Sequence, residues 1–167
     1  MDLIEKATIF ATKAHESIDQ RRKYTGKPYI VHPAEVASIV ASVPHTDEMV
    51  AAAWLHDVVE DTPITLDEIY AEFGKKVGDL VEMLTDVSKP EDGNRKVRKE
   101  LDRQHTAKAS PEGKTIKLAD LISNTSSIVK HDPNFAKVYL REKRLLLEVL
   151  KEGDKTLWNK AYTMSFG

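Results

Sequence analysis

Asp47-Glu48-Met49-Val50-Ala51-Ala52-Ala53-Trp54-Leu55-His56-Asp57-Val58-Val59-Glu60-Asp61 is the stretch on which the fold turns. Val50 to Leu55 is almost wholly apolar, which predicts a helix from about Thr46 to Glu60 at the centre of the protein. Asp47 and Glu48 fall in its first turn, where the helix dipole favours negative charge. The apolar run from Met49 to Leu55 is too short to span a bilayer. Four polar or ionisable side chains then follow: His56 and Glu60 are four apart, as are Asp57 and Asp61, so each pair shares a helix face. One reading is a helix end emerging into water. The other is a site, because carboxylates leaving so apolar a helix are costly unless paired or bound to a cation.

Outward from this helix the pattern stays helical. Leu3, Ala7, Phe10 and Ala14 form one stripe, with Ile4, Ala11 and Ile18 beside it. Gln20 to His32 reads as a loop broken by Gly26 and Pro28. Pro33 can open a second helix, since a first helical position needs no N–H, and Pro44 ends it. Thr65 and Glu68 form a capping-box pattern, Gly74 closes that helix, and Val77, Leu80, Val81 and Leu84 mark another. Pro90 to Gly113 is rich in Arg and Lys with Leu101 nearly its only anchor, and predicts a loosely packed helix or ordered loop. Ser110-Pro111-Glu112-Gly113 reads as a turn. Ile116, Ala119, Ile122 and Ile128 mark the next helix, Asp132-Pro133 opens a long amphipathic one, and Gly153-Asp154 restarts a last one. No alternating strand, repeat or linker is evident. The expectation is an all-α fold, a single compact helical bundle over residues 1–167.

Composition narrows the function. Apolar residues at 41% exclude a disordered chain, and a net charge of -2 excludes a protein that coats DNA or RNA by bulk positive charge. With 0 Cys there is no thiolate metal site and no cysteine nucleophile, so any metal must be held by His, Asp or Glu. The N-terminus lacks a secretory pattern, and the expectation is a cytoplasmic protein with no membrane partner.

Two further segments add donors. Asp120 follows Leu118 and Ala119 on a predicted buried helix, and Asn124 is one turn further on the same face. His32 sits just before Pro33, where it could equally cap a helix. His32, His56, Asp57 and Asp120 are a sensible set for Mn²⁺, Fe²⁺ or Zn²⁺, and a water on such an ion becomes a nucleophile near neutral pH. Glu60 and Asp61 could take a proton from that water and orient it.

His32, His56-Asp57 and Asp120 match the H…HD…D signature of the HD-domain metal phosphohydrolases. More closely, Gln20-Arg21-Arg22-Lys23, Gly26-Lys27-Pro28-Tyr29-Ile30-Val31-His32-Pro33, Leu55 to Thr62, and Lys117-Leu118-Ala119-Asp120 with Asn124 resemble the hydrolase domain of the RelA/SpoT homologues. With no room for a synthetase domain, the chain is similar to the small alarmone hydrolases of the stringent response. The resemblance implies manganese-dependent removal of the 3′-pyrophosphate from guanosine 3′,5′-bis(diphosphate)-type alarmones, a small-molecule nucleotide substrate. It implies His32, His56, Asp57 and Asp120 as metal ligands, with Fe²⁺ or Zn²⁺ as second choices of ion. Glu60 and Asp61 match the catalytic acidic pair, with Glu60 activating the water; Asn124, Arg22 and Lys23 contact the nucleotide. Ser126 stands where many relatives have Arg. Substrate preference therefore stays open to adenosine alarmones, the 2′-phosphate of NADPH or another nucleotide. Tyr24, Tyr29 and Tyr139 are candidates for a wall against the base.

Overall fold

The computed structural model describes residues 1–166. They are helical throughout; among the described residues the only β pairing is an isolated bridge between Arg21 and Pro28. The chain divides into two compact units, Met1–Thr85 and a second that begins at Asp86.

In the first unit, α1 (Leu3–Glu16) starts where the Asp2 side chain accepts from Glu5 N, and it buries Ala7, Ala11, Ala14 and His15. Ile18, expected on the same stripe, lies beyond the helix end and is 42% exposed. The second helix, α2 (Val31–Ala41), begins two residues before Pro33 rather than at it. The turn already winds there, with Val31 N donating to Pro28 O and His32 N to Tyr29 O. Pro33 still falls inside the first turn, where no N–H is needed. His32 is thereby carried on the helix instead of preceding it.

The central helix is not continuous to Glu60. It runs as α3 (Asp47–Leu55), capped by Thr46, and resumes as the single turn α4 (Val58–Asp61). Asp57 interrupts it with φ −102° and ψ −2°, off the helical well and in the sparsely populated bridge region. Met49 to Ala53 and Leu55 are buried, and α3 packs against α1, α2 and α6 (Lys75–Leu84). Between them, α5 (Leu66–Phe73) has the full Thr65–Glu68 capping box and stops at Gly74, whose φ of +88° suits glycine.

In the second unit, the stretch from Pro90 to Gly113 is more ordered than its composition suggests. A 3₁₀ turn (Pro90–Asp92) leads to α7 (Arg95–Ala107), capped by Asn94. Polar anchors replace the missing apolar ones: Arg95 grips Glu142 through two hydrogen bonds of 2.8 and 2.9 Å. Asp102 accepts from Val87 N, Ser88 N and Ser88 Oγ. Ser110 to Gly113 is not a free turn but the cap and first turn of α8 (Pro111–His131), with Gly113 N donating to Ser110 Oγ. A further pair, α9 (Pro133–Glu148) and α10 (Lys155–Met164), packs on α8 and on each other. Gly153 lets α10 approach: a Cβ there would lie 2.8 Å from Leu118 Cδ1 and 3.1 Å from the α8 backbone at Lys114 and Thr115. Gly153→Ala should therefore destabilise the protein by about 1–3 kcal/mol, read as a lower denaturant midpoint at unchanged slope.

Candidate active site

Three of the expected donors converge in the first unit. His32 rides on the first turn of α2, and His56 and Asp57 sit at the break between α3 and α4. Their ligand atoms all lie within 4.8 Å of one another. His56 Nε2 is 3.1 Å and His32 Nε2 3.6 Å from the same oxygen, Asp57 Oδ2. Both imidazoles are almost fully buried. His56 Nδ1 donates to Ala53 O at 2.7 Å, which in the neutral ring leaves Nε2 with its lone pair. A lone pair facing a carboxylate oxygen at 3.1 Å is repulsive unless a proton or a metal ion sits between them. Two imidazole nitrogens and one carboxylate, with no thiolate, form a donor set that fits a divalent metal. The helix break matters to this: it turns Asp57 out of register so that its oxygen meets both rings.

The loop before α2 supports the cluster. Tyr29 OH donates to Asp57 Oδ2 at 2.5 Å, while its ring lies 5.8 Å from that of His32 and 4.9 Å from that of His15. Tyr29, one of the residues expected at a base wall, thus serves the carboxylate. On the last turn, Glu60 is exposed and Asp61 half-buried. Gln20 Nε2 donates to Asp61 Oδ2 at 3.1 Å, and Gln20 Oε1 meets His15 Nδ1 at 2.8 Å. Burial and the nearby Asp57 charge push the Asp61 carboxyl up; the Gln20 hydrogen bond, His15 and His56 pull it back. Arg22 and Lys23 lie on the turn of this loop, where Arg22 N donates to Lys27 O and the Lys23 ammonium lies 5.4 Å from the centre of the Tyr24 ring.

Asp120 and Asn124 belong to the second unit, on α8. Asp120 is buried and held by Lys117 Nζ at 3.0 Å and Asn124 Nδ2 at 3.1 Å. All three line a cavity of about 150 Å³ with Asp86, Lys99, Asp102, Arg103, Tyr139, Glu142 and Lys143. Cations and acids are equally many in that wall, but Asp102 is committed to the 87–88 backbone and Glu142 to Arg95. Lys117 is likewise committed to Asp120 and Arg103 to Glu100, so most charges of both signs in the wall already have partners. Lys143 is 1% exposed and its Nζ has no hydrogen-bond partner. Burial lowers its pKa to about 8. Burial also pushes the Tyr139 phenol up to about 12.

Sequence reasoning missed His15, the Gln20 contact and Lys143. A signal existed for two of them. His15 falls four residues after Ala11 on the buried face of α1, and Lys143 falls between Ala136 and Leu147 on the buried face of α9. A polar residue at an apolar stripe position is the mark.

A family model described as the HD domain matches residues 7–137. The chain belongs to the HD-domain family. It is 40% identical over 134 residues to the human guanosine-3′,5′-bis(diphosphate) 3′-pyrophosphohydrolase MESH1, covering 77% of this chain and 70% of that one. That identity over most of both chains places it, within the family, with the MESH1 proteins. A probable guanosine-3′,5′-bis(diphosphate) 3′-pyrophosphohydrolase of Synechocystis is 44% identical over 87 residues, a segment that spans 11% of that protein's length. A solved structure of a metazoan SpoT orthologue that hydrolyses ppGpp superposes with a TM-score of 0.85 at 27% identity, covering 98% of this chain and 94% of that one. Among the described residues no helix is long and apolar enough to cross a membrane.

The buried ammonium gives a measurable signature. A Lys whose folded pKa lies near 8 instead of 10.5 is penalised in the folded state when charged. The penalty is present below pH 8 and vanishes as pH rises past the unfolded value. Lys143→Met should raise the unfolding free energy at pH 7 by on the order of 3 kcal/mol. The gain should shrink toward pH 10.5, as followed by thermal melts across that range.

Proposed function

We propose that residues 1–167 act as one domain, a cytoplasmic, manganese-dependent phosphohydrolase. Its substrate is a guanosine 3′,5′-bis(diphosphate)-type alarmone, from which it releases the 3′-pyrophosphate. The observation that carries this reading is the convergence of His32, His56 and Asp57 within 4.8 Å in a chain with 40% identity to human MESH1. Asp120 is the fourth ligand that the resemblance implies. When bound, the divalent ion lowers the pKa of water and offsets phosphate charge. Imidazoles and carboxylates without thiolate suit a divalent ion such as Mn²⁺, Fe²⁺ or Zn²⁺, and Mn²⁺ is the one the resemblance implies.

The chain's own groups do the rest. Glu60, exposed and therefore able to reach a water, takes its proton. Asp61, half-buried, orients that water. The water oxygen attacks the phosphorus bound to the ribose 3′ oxygen, the P–O3′ bond breaks, and the 3′ oxygen leaves with a proton. Arg22, Lys23 and Asn124 hold the nucleotide, as the resemblance implies. Ser126, where the resemblance has Arg, is exposed on α8. The names of the relatives support guanosine over adenosine alarmones or NADPH.

Purified protein should release pyrophosphate from guanosine 3′,5′-bis(diphosphate) with Mn²⁺, faster than it acts on the adenosine counterpart or on NADPH, with products resolved by chromatography. Asp57→Ala should abolish turnover. Glu60→Ala should keep its metal and lose about 10²–10⁴-fold in rate. Full activity in chelator-treated buffer would refute the assignment, and a metal-free Glu60→Ala protein would make Glu60 a ligand.

A further inference from the structure

A chain of three side chains runs from a buried histidine to half-buried Asp61. His15 is 1% exposed on α1, Gln20 stands on the following loop, and Asp61 closes α4. Their links are 2.8 Å from His15 Nδ1 to Gln20 Oε1 and 3.1 Å from Gln20 Nε2 to Asp61 Oδ2. The order of donors is forced from one end. An ionised carboxylate only accepts, so the Gln20 amide must turn its NH₂ toward Asp61 and its oxygen toward His15. His15 must then carry a proton on Nδ1. Its other nitrogen, Nε2, is buried without a partner, which costs less as a bare lone pair than as an ammonium-like charged ring in the same place. The neutral Nδ1–H tautomer satisfies the Gln20 end and leaves Nε2 uncharged.

The backbone around Gln20 is fixed as well. Gln20 N donates to His15 O, and Gln20 O accepts from Tyr29 N. That same Tyr29 donates its hydroxyl to Asp57 and lays its ring against His15. One short loop therefore reaches two acids of the site, Asp57 through Tyr29 and Asp61 through Gln20. Neither Gln20 nor His15 has an obvious stability role that demands a polar chain. An apolar pair would fill the volume without leaving a nitrogen unsatisfied.

We infer that His15 and Gln20 are positioning residues for Asp61, locking its carboxylate through Oδ2 so that Oδ1 is left as the acceptor for the reacting water. This rests on the proposed hydrolysis. Gln20→Leu and His15→Leu should each lower kcat about 10- to 100-fold, the usual cost of losing an orienting partner, with KM within about twofold. His15→Asn, whose Nδ2 can donate from nearly the place of the imidazole Nδ1, should recover most of the loss. In an Asp61→Asn background, Gln20→Leu should cost no more than about twofold further, because the residue through which it acts is already gone. An undiminished Gln20→Leu effect in that background, or an unchanged kcat in Gln20→Leu alone, would overturn the inference.

A second readout needs no turnover. Nitrogen-15 spectra of the histidine rings, with diamagnetic Mg²⁺ in place of Mn²⁺, should show His15 as the neutral Nδ1–H tautomer. In Asp61→Asn the Gln20 amide is free to flip, and the two tautomers should mix. An Nε2–H ring in the unaltered protein would contradict the chain. Should the protein hydrolyse no alarmone at all, the proposed function fails, while the tautomer measurement still decides whether His15 and Gln20 are locked by Asp61.

Discussion

Two imidazole nitrogens and a carboxylate oxygen crowd one point in the interior of the first unit, and the architecture around them exists to keep them there. Left to themselves these groups present lone pairs to one another in a poorly solvated place, a costly arrangement without a cation. The apolar helix α3 supplies the rigidity. Its buried alanines let α1 and α2 come close, and α2 brings His32 to the end of α3. The bridge-region conformation of Asp57 supplies the turn that an unbroken helix would deny. Backbone and side-chain bonds from Ala53 and Tyr29 then fix the ring of His56 and the carboxylate of Asp57. Such outer contacts set ligand geometry as firmly as the ligands themselves.

Much of this was legible in the sequence. Helix periodicity located the elements of both units, and the Thr65–Glu68 box and Gly74 behaved as their chemistry dictates. His56 and Asp57 stood out because ionisable residues follow directly on an apolar helix, and His32 because it precedes Pro33. What escaped has physical reasons. The break at His56-Asp57 is imposed by tertiary contacts with α2 and the preceding loop, and no local propensity announces it. The start of α2 at Val31 depends on turn hydrogen bonds from Pro28 and Tyr29, which periodicity does not see. Order in α7 comes from ion pairs and a carboxylate-to-backbone clamp, so a reading based on apolar anchors underrated it. Gln20 and His15 are joined by side-chain geometry across a loop, beyond the reach of any spacing rule.

Charge is arranged with similar economy. The chain as a whole is slightly acidic, and the cavity on α7, α8 and α9 pairs most of its charges internally: Glu142 with Arg95, Asp120 with Lys117 and Arg103 with Glu100. Lys143 is the exception, a cation kept out of water with no protein counter-ion. Stability is forgone at that position.

The proposed chemistry requires one metal ion held by both histidines. Pulsed electron paramagnetic resonance of the Mn²⁺-loaded protein measures this directly through the couplings of the ion to ligand nitrogen. Two imidazole nitrogens should couple to one Mn²⁺, and His32→Gln and His56→Gln should each remove one of them. A spectrum with no nitrogen coupling, unchanged in either variant, would show the ion bound elsewhere and would contradict the assignment.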